Sequence, residues 1–556
     1  MAITAGGGAG KSALIAKAVE QAQAANPDAQ IIFRFIGATP ASSDGRGLLD
    51  GLCREISRCY SADEGETPTD FRDLVPELIK RMGQASAEKP LLLFLDSLDQ
   101  LSQNHGARSL TWLPKDLPEH VRLVVSTRDA EDTFGHLKAK DPICLNLEGL
   151  PPEDGAALLD LWLKNAGRKL QKEQQKEVLV KFKESGGNPL YLKLAFEEAR
   201  LWTSFQDQED LAVGVAGIIQ TNMLDRLKNE GNHGEVLVSH ALGYLAASRY
   251  GLAEDELVDL LLRDLAVYTW FFRQTYHLPP DLVKLAVQHL SDHPQELKDQ
   301  RARSSDDPER IALAWLKQDR NPPEPVTEFL KTAISKVDGP RLPIVMWSRL
   351  SFDLAPYLSE RMVDGSALLS FYHRELGDVS ASVFLSGNNA QSFHEKLADY
   401  FHFKADPLDD GSWSGGNRHA LSELPYHLIS ADKRDAVFET LTDFKFLEHK
   451  AEEVGITRSV DEFGTKKVQS EGVHQLLQDY QMAQAAFYGV SVDGFDGERA
   501  SLIRTAEERS GKLQVYCPVC NRKSEVTQDE LGQVITCPKE GCNTKLKLNT
   551  FSVQMD

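Results

Sequence analysis

The chain has 556 residues, and 83 Asp and Glu against 62 Lys and Arg leave a net charge of -21 and a pI near 5.2. General binders of nucleic acid or of membrane surfaces carry a basic excess, so this balance argues against both as partners. Apolar residues at 41% and charged residues at 26% match a soluble globular chain, and at roughly 100–200 residues per domain the length implies three to five domains.

In chain order, the Gly-rich Ala5–Ser12 runs into a helical Ala13–Ala25 and then a β-rich Ile31–Ile36. Amphipathic stretches follow at Leu48–Tyr60 and Phe71–Met82, with short apolar runs at Leu91–Leu95 and Val121–Val125. Such runs suit strands buried on both faces, so residues 1–148 read as an α/β core, a parallel sheet with helices on both faces. From Pro151 leucines recur at helical spacing, giving a helical domain over 149–230. A mostly helical region over 231–450 follows, with the apolar helical pattern returning from Ile344. Its charged, proline-bearing stretch near 292–325, with Arg301–Pro308 inside it, reads as an exposed insertion or loosely held arm. The polar Val454–Gly472 reads as a linker within a linker or helical segment 451–510, and 511–556 as a separate small module. No fixed-period repeat indicates a solenoid or propeller. No apolar run approaches the roughly 20 residues that span a bilayer. Met1–Gly10 lacks the features of a secretory leader, and seven cysteines in this length do not make a secreted disulfide framework. The reducing cytoplasm is the expected compartment.

Ala5-Gly6-Gly7-Gly8-Ala9-Gly10-Lys11-Ser12 fits a P-loop with Ala in place of the first Gly. Glycines let successive N–H groups turn inward around phosphate oxygens, and the following helix adds its N-terminal dipole. Lys11 is expected at the β- and γ-phosphates of a nucleoside triphosphate, ATP before others, with the Ser12 hydroxyl on Mg²⁺. A flexible Gly-rich tail is the alternative. Leu92–Leu95 followed by Asp96-Ser97-Leu98-Asp99 is an apolar strand ending in carboxylates, the Walker B arrangement. Asp96 would hold Mg²⁺, and Asp99 would polarise the attacking water. Val121–Val125 leads into Ser126-Thr127-Arg128, where Arg128 either senses the γ-phosphate or stands on the surface near a helix start.

Together these segments resemble the STAND class of signalling ATPases, in particular the NACHT-type branch that includes telomerase-associated protein. The resemblance rests on the P-loop, Phe35–Asp44, Leu93–Leu101, Trp112–Pro114 leading to Val121–Arg128, and Gly187-Asn188-Pro189-Leu190-Tyr191. It continues through Ala241–Leu262, Phe371–Leu376, Ser392–Phe401 and Ala420–Leu447, and so covers about residues 1–450. It implies a winged helix within 231–450 and an ATP/ADP-dependent switch with slow hydrolysis. In that switch Pro189 would touch the adenine or ribose, and a winged-helix histidine, here His373, would bond the β-phosphate of ADP. The alternative for His373 is a satisfied core histidine on an apolar helix. The resemblance also implies self-association on activation, a protein trigger and effector, and a defence role. Departures are Gln100, where many relatives carry a second acidic residue, and the three residues before Ala5, expected to be too few for a full central strand. Neither the family's effector domain nor its repeats are recognisable, which leaves a trimmed product, a mis-started gene or a minimal member. The rival expectation is a non-hydrolysing helical scaffold that binds ADP structurally or not at all.

Independently, Cys517-Pro518-Val519-Cys520 and Cys537-Pro538-Lys539-Glu540-Gly541-Cys542 have the spacing of a four-cysteine structural Zn²⁺ ribbon. Val515–Tyr516 and Lys545–Leu548 are its expected flanking strands. The alternatives are a redox pair or unpaired thiols. Scattered lysines around it read as a solvated surface.

Overall fold

The computed structural model describes residues 1–37, 40–61, 67–68, 70–102, 104–203, 210–274, 280–295, 297, 307–316, 326–328, 344–363, 366–454, 456–460, 466–470, 472–488, 501–509, 512–517, 522–538 and 545–554. The chain divides into two compact units, residues 1–148 with 401–556, and residues 149–400.

Residues 1–148 are built on five parallel strands, β1 (Ala2–Thr4), β2 (Gln30–Phe35), β3 (Leu91–Asp96), β4 (Val121–Thr127) and β5 (Cys144–Asn146), in the order β2-β3-β4-β1-β5. Alternation along each strand sends side chains to opposite faces. Ile32, Leu91, Leu93, Leu95, Val121 and Val125 meet the buried stripes of α2 (Gly45–Cys59) and α3 (Phe71–Met82). Ile3, Ile31, Leu92, Phe94 and Val124 meet Ile15 and Val19 of α1 (Lys11–Ala25). Helices therefore cover both faces, as the apolar runs indicate, and a short α4 (Asp132–Lys138) follows β4. Cys53 lies in the α2 core, where burial pushes its thiol up to about 12, so it acts as an apolar filler. β1 is short but takes a full interior place, with Ala2, Ile3 and Thr4 in register with both Val125–Thr127 and Cys144–Asn146. Three residues thus suffice to pair on both sides, although they match only Val125–Thr127 of the seven-residue β4 and do not make a full-length central strand.

In residues 149–400, α5 (Pro152–Asn165), α6 (Lys172–Glu184) and α7 (Pro189–Ala199) pack together. Next come α8 (Glu235–Ala247), β6 (Leu252–Ala253) and α9 (Glu254–Arg263). The helices α10 (Leu265–Gln274), α11 (Pro280–Asp292) and α12 (Pro308–Leu316) precede α13 (Ile344–Leu354). The strands β7 (Leu358–Val363) and β8 (Ser366–Phe371) then form an antiparallel sheet of order β6-β8-β7, followed by α14 (Arg374–Phe384) and α15 (Asn389–Ala405). The β7–β8 hairpin stands where the apolar pattern suggests only helix. β7 reads Leu-Ser-Glu-Arg-Met-Val, which mixes polar and apolar groups on both faces and carries no period-two signal. The charged stretch near 292–325 is described only in part, at 292–295, 297 and 307–316. Within it Ile311, Ala312 and Trp315 of α12 are buried in a small core with Tyr268, Leu282 and Leu290. Arg301–Asp306 lie outside the described residues.

Residues 401–556 contribute α16 (Arg418–Ser430), α17 (Arg434–Thr442), α18 (Phe444–Glu453) and α19 (Gly472–Tyr488). Between α18 and α19 the presumed linker holds an antiparallel pair, β9 (Ile456–Val460) and β10 (Lys466–Ser470). A five-stranded sheet of order β13-β12-β11-β15-β14 closes the chain, from β11 (Ser501–Arg509), β12 (Lys512–Tyr516), β13 (Lys523–Val526), β14 (Val534–Thr536) and β15 (Lys545–Gln554). The expected strands at Val515–Tyr516 and Lys545–Leu548 fall in β12 and β15.

α18 and α19 are tied by an ion pair with no solvent exposure, Lys450 Nζ to Asp479 Oδ2 at 2.5 Å. Removing one partner strands the other charge in a low dielectric, which costs about 3–5 kcal/mol. Lys450→Met should therefore lower the urea midpoint of this part of the chain by that order, and Lys450→Met with Asp479→Leu should recover most of the loss.

Candidate functional site

The P-loop leaves β1 at Thr4 and enters α1 at Lys11. Gly10, the residue before the helix, has φ +95° and Gly8 has φ +73°, left-handed conformations that a side chain would strain. Gly7, Gly8, Ala9 and Gly10 are half-buried, Gly6 is exposed, and Ser12 stands exposed in the first turn of α1. Lys11 is buried, and its Nζ donates to the carbonyls of Ala5 at 2.8 Å and Gly6 at 2.9 Å. Burial pulls its pKa down, Asp99 and Asp96 pull it up, and Arg128 adds to the depression. The lysine therefore stands within the field of every charged residue that the sequence nominates in this core.

Asp96 ends β3 and is 2% exposed. Ser126 Oγ donates to Asp96 Oδ1 and in turn accepts from Ser97 N at 2.8 Å. Ser97 has φ +60°, and this left-handed residue turns the chain into the short 3-10 helix that carries Asp99. Asp99, also 2% exposed, takes Arg128 from two directions. Its Oδ1 accepts from the Arg128 backbone N at 3.3 Å, and its Oδ2 lies 3.7 Å from Arg128 Nε. Gln100 does not point at this cluster's carboxylates as an acid would. Its amide lies over Gly37, which has φ +86° and where any Cβ would meet Oε1 at 2.0 Å.

The core thus brings together Lys11, Asp96, Asp99 and Arg128. Sequence reading missed the clasp formed by Ser126 on Asp96 and the left-handed Ser97. The only trace of it was a polar residue at the end of an apolar strand. Buried donors and acceptors placed in this way, with an exposed hydroxyl at Ser12, form a donor set suited to a Mg²⁺-bound triphosphate.

Pro189 and His373 belong to the unit 149–400. Pro189 is the first residue of α7, capped by Asn188, whose Oδ1 accepts from Leu190 N at 2.9 Å and Tyr191 N at 3.2 Å. The preceding glycines press backbone against backbone, with Leu150 N donating to Gly187 O at 2.8 Å. His373 is not on an apolar helix. It caps α14, its Nδ1 accepting from Glu375 N at 3.1 Å. At the C-terminus Cys517 and Cys537 follow β12 and β14 and are both buried in one small core. Cys517 N donates to Arg522 O at 2.9 Å. Cys520 and Cys542 lie outside the described residues, and among the described ones no group of three or more His, Cys, Asp or Glu could hold a metal ion.

Residues 1–166 match the family model of the NACHT domain. The human NACHT domain- and WD repeat-containing protein 1 is 28% identical over 501 residues, 82% of this chain and 27% of that protein. The human NACHT and WD repeat domain-containing protein 2 is 29% identical over 411 residues, 72% of this chain and 19% of that protein. The chain thus spans about a quarter or less of the length of these relatives. Among solved structures, a signal transduction ATPase with numerous domains from Pyrococcus horikoshii, with a tetratricopeptide repeat sensor, covers 87% of this chain and 74% of its own at 12% identity and a TM-score of 0.28. That likeness is too distant to inform the site.

The clasp on Asp96 is open to test. Ser126→Ala leaves the Ser97 N–H and an Asp96 oxygen without their buried partner, at a cost of about 1–3 kcal/mol. Hydrogen exchange should show the Ser97 amide losing protection, with a lower unfolding midpoint for the core.

Proposed function

We propose that this chain, a NACHT-type P-loop ATPase of the STAND class, is a nucleotide-dependent signalling switch that binds ATP and ADP with Mg²⁺ and hydrolyses ATP slowly. The observation that carries this reading is the meeting of Lys11, Asp96, Asp99 and Arg128 at one edge of the sheet beside a loop turned by Gly8 and Gly10. Lys11 exchanges its loop carbonyls for phosphate oxygens, a stronger, charge-assisted partner. Ser12 and Asp96 hold Mg²⁺, which when bound supplies positive charge to the phosphate oxygens. Asp99 orients and polarises the water that attacks in line, and Arg128 neutralises charge developing on the γ-phosphate. Because Asp99 is itself engaged by Arg128, the two roles draw on one ion pair, which favours a long dwell over fast turnover.

Residues 149–400 supply the rest of the switch. The order helix, strand, helix, helix, strand, strand from α8, β6, α9, α13, β7 and β8 supports a winged helix carrying α10–α12 as an insertion. Pro189 at the α7 start contacts the base or ribose, and His373 at the α14 start bonds the β-phosphate of ADP. Exchange of ADP for ATP then frees the chain to self-associate and engage an effector, on a signal from a protein trigger, in a cytoplasmic defence pathway of the kind the family implies. Cys517, Cys520, Cys537 and Cys542 hold one structural Zn²⁺. Two of these thiols are buried together at strand ends, and the Cys517 N–H donates to the Arg522 carbonyl.

The rival is a scaffold that does not hydrolyse, and Gln100, packed on Gly37 rather than offering a second acid, is the observation in its favour.

Protein purified without added nucleotide should release near-stoichiometric ADP on denaturation. Lys11→Ala should lower affinity for ATP about 100-fold or more, a loss of about 2.7 kcal/mol, and binding at the wild-type level would remove the P-loop assignment. Asp99→Asn should still bind ATP while phosphate release falls about 100-fold. Wild-type protein with no phosphate release at all leaves the scaffold reading. Elemental analysis should give one zinc per chain, lost in Cys537→Ser, and metal-free protein with an intact C-terminal sheet would exclude the ribbon.

A further inference from the structure

α18 and α19 each have a buried inner face and a second apolar stripe that, apart from the buried Leu476, is half-buried or exposed. In α18 the stripe is Phe444, Leu447 and Ala451 with Glu448, and in α19 it is Val473, Leu476, Leu477 and Tyr480. Both follow the spacing i, i+3, i+4, i+7, which aligns residues along one side of a helix. Side by side they wall a groove of about 610 Å³. Phe444 is 86% exposed, and Val473 and Leu477 are each 53% exposed. Isolated exposed apolar residues are ordinary, but a contiguous lined groove marks an interaction site.

On the inner faces Lys450 pairs with Asp479 and Ser422 Oγ donates to Gln475 at 3.0 Å, while Tyr480, which lines the groove, donates its hydroxyl to the Leu441 carbonyl. The two walls are therefore held in place before anything docks, which reduces the ordering cost of association.

We propose that this groove receives an amphipathic helix of a partner protein, one with an apolar stripe at i, i+3, i+4 and i+7 flanked by basic residues. Two parallel helical stripes present the complement of a third helix, the mode in which helices dock into grooves. Charge selects the flanks. Glu448 is the sole charged residue lining the groove, and Glu452 stands exposed one turn further on. The α19 side carries Gln478, Gln481 and Gln484. Exposed Lys445 is the one cation on the described length of α18 and α19 besides the buried Lys450. A second copy docking face to face would set the same acidic edge against itself, an arrangement that symmetry imposes and electrostatics opposes. The docked helix would also adjoin the ATPase core. Gln478 Nε2 donates at 3.0 Å to Asp44 Oδ1, and the other oxygen of Asp44 caps α2 through Gly47 N at 2.8 Å. The proposal does not depend on the nucleotide reading.

The test uses the full chain and two fluorescein-labelled designed helices of about 18 residues with the same leucine stripe. One has lysine flanks and the other glutamate flanks, and binding is read by anisotropy at about 0.15 M salt. The lysine peptide should bind at least about tenfold tighter than the glutamate peptide, and Phe444→Glu and Leu477→Glu should each weaken it about tenfold or more. Both substitutions add negative charge, so non-specific attraction of a basic peptide would rise and cannot account for a loss. Both residues are exposed, and unchanged thermal midpoints would show that the fold is kept. Wild-type affinity in the two variants, or equal affinity for the two peptides, overturns the proposal. So does concentration-dependent dimerisation in sedimentation that Leu477→Glu abolishes, which would make the occupant a second copy. Binding of the chain to phosphatidylcholine vesicles in place of the peptide would overturn it as well.

Discussion

The nucleotide site hangs from the hydrogen bonding of one three-residue strand. β1 lies in the interior of the sheet, where an unpaired backbone group costs about 1–3 kcal/mol, and both of its edges are taken. The Met1 ammonium donates to Leu123 O at 2.8 Å, Ala2 N to Ile143 O at 2.8 Å, and Leu147 N to Thr4 O at 2.8 Å. With Thr4 fixed on both sides, Ala5 must leave at the C-terminal edge of the sheet, where Gly10 can turn the chain into α1. The strand order then decides the electrostatics. β4 lies between β1 and β3, so Arg128, just beyond β4, comes between the P-loop and the turn after β3. Asp99 and Asp96 accordingly favour the charged form of Lys11, and Arg128 opposes it.

A parallel sheet concentrates these groups without neutralising them. Asp96 and Asp99 are both buried, and burying a polar group costs free energy unless hydrogen-bond partners are at hand. Ser126 and the Ser97 turn serve the first, and Arg128 serves the second. Lys11 meanwhile rests on neutral carbonyls, a weaker arrangement than a phosphate offers. In the proposed role Lys11 would gain by exchanging those carbonyls for the oxygens of an anion.

The parts legible in the sequence were those with strong local periodicity. Leu91–Leu95 and Val121–Val125 could only be buried strands, and Gly8, Gly10 and Lys11 carry their geometry in their residue types. What escaped depended on partners distant in sequence. β1 looked too short because its neighbours, Val125–Thr127 and Cys144–Asn146, are more than a hundred residues away. β7 showed no alternation because polar Ser359 and Arg361 take its more covered face while apolar Met362 stands exposed on the other. In the charged insertion, Ile311 and Trp315 sit in a short apolar run, Ile311–Leu316, set among charged residues, and their core is completed by Tyr268 and Leu282 from earlier helices. The alternative reading of His373, a core histidine on an apolar helix, missed the β8 strand before it, which sets it at a helix start.

The same logic explains why α18 and α19 present an open groove rather than a closed seam. Replacing a buried ion pair with apolar groups is often neutral or stabilising, so Lys450 and Asp479 are a poor source of stability. What such a pair supplies here is register, since Lys450 can reach Asp479 only when the two helices stand at one offset. Gly472 enforces the same closeness, as a Cβ there would meet the Lys450 carbonyl oxygen at 2.1 Å. At that offset Phe444–Ala451 and Val473–Tyr480 run beside each other, and their outward stripes become one surface. A helix pair joined by apolar contacts alone could slide and bury those stripes. One fixed by a charge at its centre keeps them outside, next to the residue that ties α19 to the cap of α2.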